Sequence, residues 1–263
     1  MHTMPTMSFI DTGTGFPILL GHSYLFDKSM WSTQIEVLAK HFRVIAPDLW
    51  GHGESPALPG STSSLKDIAA DHLHLMDSLN IEHFAVVGLS VGGMWGAELA
   101  AMAPKRVKSL MLFDTFIGNE TEEARERYFA MLNAIDAAGM LPQPLLEYVV
   151  SQFYSRYAAP SDVQQLTAWL SSLCTERLRT SIVPLGKMIF GRPDHMAILD
   201  AITCPVHIAT GELDLPRPPV EGRLMAEKLG CEFTLIPKAA HISNRENPDF
   251  VTTLIIDFIT RHQ

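Results

Sequence analysis

Six short apolar runs punctuate the chain, each closed by a glycine or aspartate turn and followed by a helical pattern. They are "PILLGH" at 17 to 22, "FRVIAPD" at 42 to 48, "FAVVGLS" at 84 to 90, "SLMLFDT" at 109 to 115, "PVHIATGE" at 205 to 212 and "EFTLIPKA" at 232 to 239. Continuous apolar runs, without polar alternation, are how strands covered on both faces read. Helical patterns at 66 to 80, at 93 to 103, after 220 and near 248 to 261 lie between or beyond them. This alternation predicts an α/β protein with a doubly wound, mostly parallel sheet and helices on both faces.

Between "FDTF" and "ITCPVHIATG" the alternation stops, and residues 117 to 200 carry helical patterns only. A long helical insertion in an α/β sheet has something to cover, and open sheets of this kind bind ligands at the carboxyl ends of their strands. The insertion is therefore expected to be a cap, with 1–116 and 201–263 forming the core. Its Phe129, Met131, Phe153, Tyr154, Tyr157 and Trp169 recur at helical spacing, which predicts ordinary packing for most and a pocket-lining role for one or two.

Composition narrows the partners. With 47% hydrophobic and 19% charged residues the chain folds around a substantial core, and a net charge of -9 with no Lys/Arg cluster argues against nucleic acid. Cys174, Cys204 and Cys231 have no C-x-x-C spacing, which predicts reduced, mostly buried thiols in a cytoplasmic protein. "MHTMPTMSFIDTG" lacks the basic start and apolar run of a signal peptide, and no stretch approaches the ~20 apolar residues that span a bilayer. No membrane association is expected.

Candidate chemistry concentrates at "GLSVGG", residues 88 to 93. As G-x-S-x-G, Gly88, Ser90 and Gly92 describe a sharp strand-to-helix turn that holds the serine in a strained conformation and pushes its hydroxyl out of the sheet. The same turn sets the serine at a helix N-terminus, where the N–H of Val91 can face an oxyanion. The plain reading is a glycine-rich helix start packed tightly for steric reasons. A serine nucleophile needs a base, and the base an orienting acid. Asp214 follows the run "PVHIATG" and His241 follows "CEFTLIPKAA", so all three side chains are expected at one edge of the sheet, in the order Ser, acid, His. Asp48 and Asp114 also end strands, and Asp114 competes with Asp214 for the place of the acid.

Together with "DTGTGFPILLGH", "MWSTQ", "FRVIAPDLWGHGES", "CPVHIATGELD" and "AAHISNRENPDFV", these residues resemble, block by block and in order, the capped α/β-hydrolases, which include carboxylesterases, lactonases, cofactor-free haloperoxidases and carbon–carbon bond hydrolases. The resemblance implies the α/β-hydrolase fold, with the helical cap inserted after the sixth core strand. It implies Ser90 as nucleophile, His241 as base, Asp214 as acid and Val91 as one oxyanion donor. The second donor follows a His-Gly pair in the family. Here Ser23 stands at the glycine, as in enol-lactone hydrolases, making Tyr24 the donor, while a shifted register makes it Ser23. His52 of "DLWGHGES" is expected to hydrogen-bond backbone and fix a loop.

The function expected is hydrolysis of a small ester or lactone through an acyl-enzyme on Ser90. It needs no metal and no organic cofactor, and the chain would act as a monomer or homodimer. Haloperoxidase or perhydrolase chemistry and carbon–carbon hydrolysis use the same triad, and a small-molecule receptor with vestigial chemistry uses the same fold. Dehalogenase and epoxide-hydrolase readings fail because those relatives carry a carboxylate where this chain has serine. A dinucleotide site fails because "GTGFPI" and "GLSVGG" lack the G-x-G-x-x-G spacing.

Overall fold

Every side chain of "FAVVGL" is buried, and this strand, β4, lies in the middle of the sheet around which the protein is built. The computed structural model describes residues 6–263; positions 1–5 of the expected core lie outside them. The strands are β1 (Phe9–Thr12), β2 (Pro17–Gly21), β3 (Arg43–Pro47), β4 (Phe84–Leu89), β5 (Val107–Phe113), β6 (Val206–Gly211) and β7 (Glu232–Ile236). They form one sheet in the order β1-β3-β2-β4-β5-β6-β7, with β1 antiparallel and the others parallel. All six predicted runs are strands. The seventh, β1, is a short edge strand of only partly buried and exposed residues, which hides it from a search for apolar runs.

Helices α1 (Ser32–Leu38), α2 (Leu65–Ser78) and α3 (Val91–Met102) join the first strands. The α2 pattern starts where Ser64 accepts a hydrogen bond from the N–H of Asp67 at 3.1 Å, satisfying a free donor of the first turn. α3 is almost entirely buried and lacks a polar face because it packs on β4, β5 and α2 together.

After β5 the chain leaves the sheet for α4 (Glu122–Ala138), α5 (Gln143–Phe153), α6 (Pro160–Ser172), the single turn α7 (Thr175–Arg177) and α8 (Val183–Phe190), with a π-helical turn over Leu178–Ile182. The insertion is helical, as predicted, but follows the fifth strand among the described residues, not the sixth. A single strand, β1, precedes the parallel set there, so each later strand counts one lower. The continuous helical pattern from 160 to 188 is also interrupted. Leu173 and Cys174 are extended, and Pro184, which has no N–H to offer the carbonyl four residues earlier, follows the π turn.

The chain returns through a 3₁₀ turn (Met196–Ala201) and closes with α9 (Pro219–Leu229), α10 (Ser243–Glu246) and α11 (Pro248–His262). The cysteines are more open than predicted, because Cys174 sits exposed at the break between α6 and α7, and Cys204 and Cys231 lie half-buried in the turns just before β6 and β7. Among the described residues no helix is long and apolar enough to cross a membrane.

Candidate active site

The turn between β4 and α3 explains its own glycines. Ser90 has φ 57° and ψ −121°, a conformation that costs a non-glycine residue on the order of 1–3 kcal/mol. A Cβ on Gly88 would lie 2.2 Å from the carbonyl oxygen of Gly92, and one on Gly92 would lie 2.2 Å from that of Gly21. The strain is held by Ser90 N–H donating to the Phe113 carbonyl at 2.9 Å and by the Thr115 hydroxyl donating to the Ser90 carbonyl at 2.7 Å. The outcome is a serine pinned at the carboxyl edge of the central strand with its hydroxyl turned away from the sheet.

That hydroxyl lies 3.0 Å from Nε2 of His241, and Nδ1 of the same ring lies 3.0 and 3.1 Å from the two carboxylate oxygens of Asp214. With Nδ1 protonated, His241 donates to Asp214 and leaves Nε2 free to accept from Ser90. All three expected residues are thus brought together, from the ends of β4 and β6 and the loop after β7. Burial lowers the His241 pKa to about 4, so the ring is neutral at neutral pH. Burial also pushes Asp214 well above the usual carboxylate range, although the Arg217 N–H donates to its Oδ1 at 2.9 Å. Phe153 stacks on the imidazole with centroids 5.5 Å apart, screening it from solvent.

Asp114 is brought close but used differently. Its oxygens accept from the Gly211 N–H at 2.7 Å and from the Ser243 hydroxyl, so it knits β6 to the loop carrying His241 and makes no hydrogen bond to the imidazole. Asp48 accepts from the N–H groups of Lys28 and Glu54 and pairs with the Lys28 ammonium at 2.6 Å, away from the imidazole of His241.

Val91 opens α3 beside Ser90, and Ser23 and Tyr24 line the same cavity as Ser90. Two buried histidines fix their loop. The His52 ring pairs through Nδ1 with the Trp50 carbonyl at 3.0 Å and accepts the Leu25 N–H on Nε2 at 3.2 Å, which is the loop-fixing role expected of it. His22, which stands at the histidine of the family's His-Gly pair, does the same between the Ser23 carbonyl at 2.7 Å and the Leu49 N–H at 2.8 Å. From the helical insertion, the Ile182 carbonyl accepts the Tyr24 hydroxyl at 2.7 Å, and the Trp169 indole donates to the Leu25 carbonyl at 3.0 Å.

Ser90 and His241 open into a cavity beneath the helical insertion, lined mostly by apolar side chains. Of the six side chains predicted from helical spacing, Met131 and Phe153 line it, whereas Tyr157 is exposed and Tyr154 is buried beside Phe26. Leu132, Ile135, Ile189 and Phe190 make most of the remaining wall apolar. Among the described residues no group of three His, Cys, Asp or Glu side chains is arranged to hold a metal ion.

The family model for the alpha/beta hydrolase fold matches residues 17–248. The chain belongs to the α/β-hydrolase fold family. It is 31% identical to a pimeloyl-[acyl-carrier protein] methyl ester esterase of Chromobacterium violaceum, over 94% of this chain and 96% of that protein. Among solved structures it is similar to a thermophilic esterase of Thermogutta terrifontis, bound to malate, with a TM-score of 0.87 and 30% identity over 98% of this chain and 94% of that one. It is also similar to an enol-lactonase of Burkholderia xenovorans LB400, with a TM-score of 0.84 and 27% identity over 97% and 96%.

One feature of this α/β-hydrolase escaped the sequence altogether. Arg217 stands in the cavity wall, and it shares the carboxylate of Glu120 with Arg192. Arg217 is only three residues past Asp214 in "GELDLPRPP", but nothing local says that Glu120, 97 residues earlier, meets it. That pairing depends on where the insertion leaves and rejoins the sheet.

Proposed function

We propose that this α/β-hydrolase is a serine hydrolase of small carboxylic esters or lactones, working through an acyl-enzyme on Ser90. The observation that carries the reading is the unbroken hydrogen-bond chain from Ser90 through His241 to Asp214 at the floor of an apolar cavity. The similarity to named esterases and an enol-lactonase supports the same class.

The steps follow from the atoms available. Nε2 of His241 takes the proton as Ser90 Oγ adds to the substrate carbonyl carbon, and Asp214 stabilises the resulting imidazolium. The oxyanion is met by the Val91 N–H and a second N–H on the facing turn, assigned to Tyr24, with Ser23 the alternative. Nε2 then returns the proton to the departing alkoxide, which leaves as the alcohol, or stays tethered to the acyl chain if the substrate is a lactone. Water, deprotonated by His241, adds to the acyl-enzyme and releases the acid and Ser90. The insertion, residues 117 to 200, serves as the cap, excluding water and polymers and admitting compact apolar groups.

The reading is tested with p-nitrophenyl esters of increasing acyl length, a simple lactone and a carbon–carbon substrate of the meta-cleavage type. Turnover of short to medium esters, graded because each fitted methylene is worth only ~1–3 kcal/mol, is the expected result. Turnover of the carbon–carbon substrate alone, or binding without turnover of anything, would overturn it.

A further inference from the structure

Arg217 is 3% exposed, and the little surface it keeps belongs to a residue of the cavity wall that also holds Ser90 and His241. A guanidinium has five N–H groups. Among the described residues, those of Arg217 find two acceptors, Glu120 and, at a long 3.4 Å, Oε2 of Glu221. Its neighbour Arg192 does not line the cavity and is held by the scaffold, donating to Glu120 at 2.7 Å and to the Ile189 and Phe116 carbonyls at 2.8 and 3.0 Å. The two arginines and two glutamates balance in charge, but neither glutamate lines the cavity, so the group turned toward a ligand is the cation.

A buried cation in a mostly apolar wall is a costly way to bind a hydrocarbon, since a well-packed apolar side chain of similar volume serves as well or better. It suits a planar anion, which a guanidinium fork meets with paired, charge-assisted hydrogen bonds. We propose that Arg217 anchors a carboxylate carried by the substrate away from its scissile bond, so that the preferred substrates are half-esters or carboxylate-bearing lactones instead of neutral esters. This rests on the reading of Ser90 as the nucleophile in the same cavity. The fixed placement of Arg217, whose own N–H is bound to Asp214, sets the distance between the two ends of the substrate and hence its chain length.

The test compares p-nitrophenyl half-esters of succinate, glutarate and adipate with neutral p-nitrophenyl esters of matched length, on wild type and on Arg217→Met. Wild type should favour the half-ester at one length by ~10- to 100-fold in kcat/KM, the worth of a charge-assisted hydrogen bond. In Arg217→Met that ratio should shrink by about the same factor, chiefly through KM, and Arg217→Lys should restore part of it. A neutral ester preferred at every length, or a ratio unchanged in Arg217→Met, would overturn the proposal. If Arg217→Met fails to fold, competition on wild type decides. Glutarate should inhibit hydrolysis of the neutral ester more strongly than dimethyl glutarate does, and the reverse order would overturn the proposal. Calorimetry of glutarate with Ser90→Ala separates the two readings. Absence of turnover of any ester by wild type would sink the hydrolase reading, whereas absence of glutarate binding to Ser90→Ala would sink the anion site.

Discussion

At Asp214 and Asp114 two buried carboxylates sit within reach of one histidine loop, and geometry gives them different work. Both oxygens of Asp214 face Nδ1 of His241, while Asp114 is occupied by the Gly211 N–H and the Ser243 hydroxyl. Asp214→Asn should therefore lower kcat on the order of 10⁴-fold by favouring the wrong imidazole tautomer, as in Ser-His-Asp enzymes generally. Asp114→Asn should lose far less turnover and show its cost in melting temperature. Equal kinetic loss in the two variants would contradict the division of labour. The sequence put both aspartates at strand ends and could rank them only by resemblance, because the hydrogen bond that separates them joins segments far apart in the chain. Ser90 was the easier candidate to read, because the G-x-S-x-G turn that closes its apolar run is a local pattern and needs no distant partner.

Between elements, the helical insertion grips the loop that faces Ser90. Leu25 has φ 69°, a left-handed conformation costly for leucine, and its peptide groups are held from two sides, the N–H by His52 and the carbonyl by the Trp169 indole on α6. Trp169→Phe keeps the ring and removes the donor. Removing an oxyanion donor outright costs ~10²–10³ in kcat, so loosening the loop proposed to carry one should lower kcat by about tenfold with KM little changed. A change in KM alone would mean that Trp169 shapes the pocket and leaves the donor in place. Helical spacing left Trp169 among six residues expected to pack or to line the pocket and could not reveal the bond, since a period reports which face a residue occupies and not what crosses to meet it. The π turn at Leu178–Ile182, whose last carbonyl receives the Tyr24 hydroxyl, was equally invisible in a pattern that reads as continuous helix.

For the whole molecule, His22, His52, His72, His207 and His241 are buried, and burial lowers the pKa of each below 6.5, His52 to about 3 and both His72 and His241 to about 4. Unfolded histidine titrates near 6.5, so between that pH and about 4 the unfolded chain binds protons that the folded one refuses, and stability falls as pH falls. Burial raises Asp114, Asp214 and Glu221, which acts in the opposite direction, because the folded state holds their protons at pH values where the unfolded state has released them. The histidines outnumber them, so Tm measured by calorimetry should drop steadily from pH 6.5 to 4. A Tm flat across that window would contradict the burial of neutral imidazoles. The fold itself was legible at this scale because parallel strands covered on both faces write uninterrupted apolar runs, whereas the partly exposed edge strand β1 writes none.

The central claim is that Ser90 is the nucleophile, and its most direct test is covalent labelling. Folded protein treated with a fluorophosphonate, read by intact mass and peptide mapping, should take up one equivalent on Ser90 and lose ester turnover in proportion, while folded Ser90→Ala takes up none. Labelling at another residue, or full turnover by wild type that the reagent leaves unmodified, would contradict the account.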